Sequence, residues 1–538
     1  MSIPARSVDT RPPAAGSTAL VPAPTESGRP RREVTEEQPD GSSVVEHLPG
    51  APDAPSWRDP TVARASEILG GPIGRYAASS RTFSVLAILL LLCSFTLLCA
   101  FAEKAPCASG DWTNYTQYSH ACYSDILPMW DAEGLSQHQV PYRDHAVEYP
   151  VLTGAAMWVA AQVTYHVSSW RHVSVGHQGE VFNLVTDLGL CLCALLIVYF
   201  AMGTNRGRPW DAALFAVSPL LVFHAFSNWD LLAMMFAAWA MWAWSRERPV
   251  LAGVMIGFGT AAKLYPALLL VALIPLAVRT GRHRPVLRTV GAAALAWAAV
   301  NLPIALLWPH GWWEFFHFNQ SRGTEWDTVW GMGYAAFHGG QFTSWVPSGL
   351  VVGLVVLLAE SGVAWLALAA PTRPRVAQLV LLAVAVFLLT SKIWSRQYSL
   401  WLVPLVALAR PRWRMSLLWQ SSEILVWIVF LLFLEGMARP NHAIYYGWFA
   451  AIVIIRDAFL LAILGLVGWE MWHPAADVVR ADGADDPSGG VFDRAPDVLS
   501  FSAEARAERR RRAEAAEEPL DLVDVEPAEV GSVPAGSA

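Results

Sequence analysis

The sequence predicts an all-α polytopic membrane protein, a bundle of about twelve transmembrane helices with a long first extracytoplasmic loop carrying interfacial helices. Three observations point there. Only 15% of the 538 residues are charged and 54% are hydrophobic, against about 25% charged in soluble domains. The charges crowd into the two ends, so residues 81–472 read as apolar runs separated by short polar breaks. The arginines between those runs fall on one side once the runs are threaded through a bilayer.

Residues 1–78 are rich in Pro, Ala, Ser, Glu and Arg without apolar period, and are expected to form a disordered cytoplasmic tail. Residues 79–472 form the transmembrane domain. Residues 473–538 read as a second disordered, charged cytoplasmic tail, in which 504–518, with Arg509, Arg510, Arg511 and Arg512, is a solvated charged helix. The run 83–102 carries no charge and lies too deep to be a cleaved signal peptide, so it is the first span and signal anchor.

The other candidate runs are 151–167, 181–203, 211–226, 231–245, 250–262, 264–278, 289–308, 346–370, 376–390, 397–409, 416–435 and 446–468. If all of them crossed, Arg206, Arg208, Arg246, Arg248, Arg279, Arg282, Arg284 and Arg288 would lie outside, against the positive-inside rule. The run 151–167 is short, follows Pro150 and carries Gln162 and His166. Laid along the outer interface, it leaves twelve spans. Those arginines then become cytoplasmic, together with Arg373, Arg375, Arg410, Arg412 and Arg414, and both termini lie inside. The first outer loop becomes 103–180.

That loop holds the densest chemistry. It reads Cys122-Tyr123-Ser124-Asp125, then Asp131, then Tyr142-Arg143-Asp144, then Glu148-Tyr149-Pro150. Aromatic rings interleaved with carboxylates suit sugars, which offer apolar C–H faces and many hydroxyls, and a carboxylate can act as a general base. Asn228, Asp230, Lys263, Lys392 and Arg396 sit at span ends on the same side, where charge is costly and marks a site or a pairing partner. Snorkelling accounts for any single Lys or Arg among them; several converging on one face call for a ligand. Cys107 and Cys122 lie in this loop, where oxidation is permitted, and are expected to pair. Cys93, Cys99, Cys191 and Cys193 fall in apolar runs and read as packing residues. His120, His138 and His145 lack a metal-ligand spacing, and no P-loop, dinucleotide fingerprint or GxSxG element occurs. No metal, cofactor or nucleic acid is expected.

The order of "VPYRDHAVEYP", "NWDLLAMMFAAWAMWAWSRERPVLAGVMIGFGTAAKLYPALLL" and "SRQYSLWLVPLVAL" after a first span and a Tyr-Ser-Asp loop resembles GT-C-fold glycosyltransferases. Most closely it resembles glycosyltransferase family 87, polyprenyl-phosphate-mannose-dependent mannosyltransferases of the cell envelope. The resemblance covers residues 83–470. It implies a GT-C-like bundle in the plasma membrane with an extracytoplasmic active site. A polyprenyl-phosphate sugar, mannose by family default, is the donor and a lipid or glycan hydroxyl the acceptor. An Asp of the first outer loop, matching Asp125, takes the acceptor proton, and the sugar transfers with inversion. By position, Lys263, Lys392 and Arg396 are candidates for the leaving phosphate. Tyr123, Tyr142, Asp144, Glu148, Tyr149, Asn228, Asp230 and Tyr265 are candidates for sugar and acceptor. A transporter or flippase of a lipid-linked sugar, or a non-catalytic envelope assembly protein, fits the same composition.

Overall fold

A computed structural model describes residues 84–502 apart from 111, 339–344, 443 and 482, with 36–37, 43–44 and 507 besides. The chain divides into two units, Met1–Ala51 and Pro52–Ala538. In the first, Glu36–Glu37 pairs antiparallel with Ser43–Val44; the rest of the expected N-terminal tail, and the charged run 504–518 apart from residue 507, lie outside the described residues.

The second unit is all-α. Its helices are α1 (Val85–Lys104), α2 (Ile126–Ala132), α3 (Val151–Arg171), α4 (Gln178–Thr204), α5 (Asp230–Ser245), α6 (Pro249–Ala262), α7 (Leu269–Thr280), α8 (His283–Leu307), α9 (Pro309–Ser321), α10 (Val329–Phe337), α11 (Gly349–Ala369), α12 (Val376–Thr390), α13 (Leu402–Ala409), α14 (Trp413–Ala438) and α15 (Tyr446–Trp472), with shorter turns between them. Among the described residues, α1, α4, α8, α11, α14 and α15 are long and apolar enough to cross a membrane, and α6, α7 and α12 are shorter apolar helices. The protein is a multi-pass membrane protein.

Sequence sets the helix ends. Ser84 accepts from the Ala87 N–H and starts α1. Lys104 closes it, its ammonium donating to the carbonyls of Tyr123 and Phe223 at 3.1 and 2.9 Å. Gly253 and Gly257, four apart on α6, lie against the Thr289 and Ala293 carbonyls of α8, where a Cβ would collide. Small residues at that spacing let two helix backbones close on each other.

The helix expected over 151–167 runs four residues further, to Arg171. At its start, Tyr142 Oη donates to the Tyr149 and Pro150 carbonyls at 2.9 and 2.8 Å. Near its finish, the Tyr165 ring lies 5.6 Å from Trp130 and its hydroxyl bonds the Leu135 carbonyl. Phe182 of α4 packs on the same Trp130 at 5.1 Å. Both ends of α3 and the start of α4 therefore rest on one connection, the segment between α1 and α3. That segment holds a disulfide between Cys107 and Cys122.

The expected disordered tail after residue 472 differs in the described part, 473–502. It folds as a strap across the end of the bundle far from that connection. Asp477 pairs with Arg375 at 2.7 Å, both side chains buried. Asp497 pairs with the buried Arg279 at 2.6 Å, and Asp485 with Arg373. Asp486 accepts from the Val376 N–H at the start of α12, and Ser488 from Ala377. Phe492 is fully buried against Trp244. Composition alone reads these aspartates as a solvated tail. Their partners are arginines more than a hundred residues away, which local patterning does not reveal.

Candidate functional site

The connection between α1 and α3 and the adjoining helix ends enclose a cavity of about 440 Å³. Asp125 stands in its wall. The residue occupies the N-cap position of α2, but its side chain caps nothing; Ser124 Oγ accepts from the Ile126 N–H instead. The Asp125 N–H is pinned to the Ser227 carbonyl at 2.9 Å. Asn228 Nδ2 donates to its Oδ2 at 2.8 Å, and Gln397 Nε2 approaches the same oxygen at 3.5 Å. Asn228 also donates to the Tyr149 hydroxyl at 3.1 Å. Burial pushes the Asp125 carboxyl above the ordinary carboxylate range, against the hydrogen bonds from Asn228 and Tyr123 and the nearby charge of Lys263.

Lys263, Arg396 and Arg322 line the same cavity. Lys263 Nζ is 2.5 Å from Asp230 Oδ1 and sits 4.5 Å from the centre of the Tyr398 ring. Burial pulls its ammonium down, but Asp230 and the Tyr398 oxygen outweigh this and hold it above its usual value. Trp401 Nε1 also donates to Asp230 at 2.9 Å, while Tyr265 and Tyr398 stack on the Trp401 ring at 4.2 Å each. Arg396 Nη1 reaches Glu325 and Asp327 at 3.2 Å each, and its guanidinium lies 3.7 Å over Phe430.

The cavity thus gathers Asp125, Tyr123, Glu148, Tyr149, Asn228, Lys263, Tyr265 and Arg396 from the residues picked out by sequence. Asp230 lies just behind the wall, as the partner of Lys263. Three others are placed elsewhere. Lys392 turns away and donates to the Gln320 and Arg322 carbonyls at 3.0 and 2.8 Å, because carbonyls ending α9 offer a closer anchor than the cavity. Tyr142 is buried under the start of α3, its hydroxyl spent on two carbonyls. Asp144 is outside the cavity and bonds Arg143 Nε at 2.8 Å; that pairing holds its carboxyl down at about 2. Sequence reading missed Arg322, Glu325, Gln397, Tyr398 and Trp401. The first two had a signal: "SRGTEWD" packs Arg322, Glu325 and Asp327 into six residues of a mostly apolar stretch.

Behind the Tyr149–Trp229 pair, 5.6 Å apart edge to face, an apolar groove of about 380 Å³ runs between α3, α4 and α5, lined mainly by Leu, Val and Ala. Among the described residues no His, Cys, Asp and Glu cluster could hold a metal ion.

Residues 149–391 match the model of glycosyltransferase family 87. That part of the chain is similar to this family of glycosyltransferases. No curated protein matches the chain. The matched segment runs through Asn228, Lys263 and Arg322 but stops short of Asp125 and Arg396 on either side. The fold brings those two back to the family 87 segment, since Asp125 is pinned to Ser227 and Asn228, and Arg396 to Glu325.

Proposed function

We propose that the protein transfers a sugar, mannose by its family resemblance, from a polyprenyl-phosphate donor to a hydroxyl of an envelope lipid or glycan, with inversion, on the extracytoplasmic face of the plasma membrane. The observation that carries this reading is one cavity lined both by a half-buried carboxylate that caps no helix, Asp125, and by the cations Lys263 and Arg396. Asp125 takes the proton of the acceptor hydroxyl, which attacks the anomeric carbon. The C–O bond to the phosphate breaks, and the charge left on polyprenyl phosphate falls to the cations, already oriented by their own ion pairs. Asn228 and Gln397 steady the base. Tyr123, Glu148, Tyr149 and Tyr265 offer rings and hydrogen-bonding groups to sugar and acceptor. The apolar groove behind Trp229 suits the hydrocarbon chain of a lipid substrate.

The arginine asymmetry supports the orientation. Arg279, Arg373, Arg375 and Arg410 crowd the end opposite the cavity, as expected of a cytoplasmic face. Twelve crossings with both termini inside follow from it.

The test is Asp125→Asn, which keeps shape and the Asn228 contact but removes the base. General-base catalysis typically contributes about 10²–10⁴-fold. Transfer from a synthetic polyprenyl-phosphate mannose should fall by that order while donor binding persists. Burial disfavours the charged carboxylate, so stability from this group is complete below its ordinary carboxylate value and is lost as pH rises through the raised one. The Asn variant should therefore melt no lower than the wild type at neutral pH. Near-wild-type turnover would move the base to another carboxylate.

A further inference from the structure

Arg396 has two carboxylate partners, and they are not equivalent. Asp327 is fully buried and lies outside the cavity wall, its backbone carbonyl held by Arg456 Nη2 at 2.9 Å. It is a fixed counter-ion. Glu325 lines the cavity, and its second oxygen takes the guanidinium of Arg322, which lines the cavity too. Glu325 therefore bridges two guanidinium groups in the wall of the cavity that Asp125 also lines, while Arg396 Nε, though buried, has no hydrogen-bond partner among the described residues. A guanidinium offers five donors in a fixed fork that matches carboxylate and phosphate alike. Two such groups bracketing one small anion define a seat for an oxyanion.

The seat is built rigidly around Glu325. Lys392 clamps the Gln320 and Arg322 carbonyls, and the Glu325 N–H donates to the Lys392 carbonyl at 3.0 Å. Tyr446 holds the Trp326 carbonyl at 2.8 Å. The backbone of the segment is fixed on both sides of Glu325, whereas its carboxylate is turned to the cavity.

We propose that Glu325 is a stand-in anion for the donor's phosphate: it occupies the seat between Arg322 and Arg396 until the lipid phosphate displaces it, and it returns as polyprenyl phosphate leaves. The inference rests on the donor reading above and assigns Arg322, which was not among the candidates read from sequence, as a phosphate ligand. The physical reason is symmetrical. Without Glu325, Arg322 would lose its carboxylate and Arg396 would keep only Asp327, and Glu325 offsets that cost before the donor arrives. The same carboxylate competes with the product for the same donors and so favours its release.

The test is binding, independent of turnover. Full-length protein in phosphatidylcholine nanodiscs is titrated with a short-chain polyprenyl phosphate and, separately, with inorganic phosphate. Glu325→Gln, which keeps the shape and removes the competing charge, should bind polyprenyl phosphate about tenfold more tightly than the wild type and be more strongly inhibited by it during transfer. Glu325→Asp, too short to bridge both guanidinium groups, should fall between them, and Arg322→Ala should bind more weakly. A gain for both ligands marks a general phosphate seat; a gain for polyprenyl phosphate alone marks one that requires the lipid. Tighter binding cannot arise from a merely loosened fold. Equal or weaker binding by Glu325→Gln, with the wild type still binding, overturns the stand-in and leaves the donor reading standing. Failure of the wild type to bind polyprenyl phosphate overturns both.

Discussion

At the scale of single residues, similar side chains divide by what their neighbours have already claimed. Lys263, Lys392 and Arg396 look alike in sequence, each a cation at the end of an apolar run. Lys392 spends its ammonium on two backbone carbonyls, whereas Lys263 and Arg396 keep carboxylate partners and face the cavity. No spacing rule separates these cases, because the carbonyls belong to a helix seventy residues away. Asp125 was legible for a different reason: it follows the first span closely in a loop rich in aromatics and acids. An Asp at the start of a helix commonly caps it, but at α2 the Ile126 N–H goes to the Ser124 hydroxyl and Asp125 caps nothing. Asn228 then acquires a testable part. Its hydrogen bond favours the charged form of Asp125 and so holds the carboxyl lower than burial alone would. Asn228→Ala removes that restraint and should raise the carboxyl further. The acid limb of kcat/KM for transfer, already above the ordinary carboxylate range, should move to higher pH, with the loss largest at low pH and smallest at high pH. A uniform loss at every pH would make Asn228 a structural residue only.

At the scale of elements, α3 is the clearest test of reading a membrane chain by charge. Its length of 21 residues suits a span, but treating it as one puts the arginines on the wrong side. In the structure both ends of α3 meet the connection between α1 and α3, through Tyr142 at one end and Tyr165 at the other. Helix type and rough boundaries were legible because apolar length dominates the signal. The four-residue extension of α3 was not, since Ser168 and Ser169 break the apolar run while still fitting a helix. The orientation has a direct check. Single cysteines replacing Trp170, which is 74% exposed at the end of α3, and Arg206, just past the end of α4, are treated with a membrane-impermeant maleimide in intact cells. Trp170→Cys should be labelled and Arg206→Cys protected until the membrane is opened. The reverse pattern would place the cavity in the cytoplasm and end the extracytoplasmic reading.

At the scale of the whole molecule, the strap after α15 joins the two ends of the bundle through α12. Its Asp486 and Ser488 take the first N–H groups of α12, whose far end leads into Lys392 and Arg396. The strap also supplies carboxylates to arginines with almost no exposure. Arg375 donates to the Leu408 and Ala409 carbonyls and to both oxygens of Asp477. Arg279, fully buried, depends on Asp497 for its counter-charge. Removing one partner of a buried ion pair leaves an uncompensated charge and costs about 3–5 kcal/mol. Asp477→Asn keeps the size of the side chain and takes away only the charge, so it should lower the thermal midpoint in detergent clearly, and a chain ending at His473 should lower it further. The cavity lined by Asp125 lies at the opposite end, so on the proposed reading whatever fraction of Asp477→Asn remains folded at low temperature should bind polyprenyl phosphate with wild-type affinity. That pairing of outcomes separates a clamp from a regulator. If the midpoint falls while affinity holds, the strap secures the bundle; if affinity changes with the midpoint intact, α12 transmits the state of its strapped end to the phosphate seat. If the chain ending at His473 melts at the wild-type temperature, the arginines find other partners and the strap secures nothing.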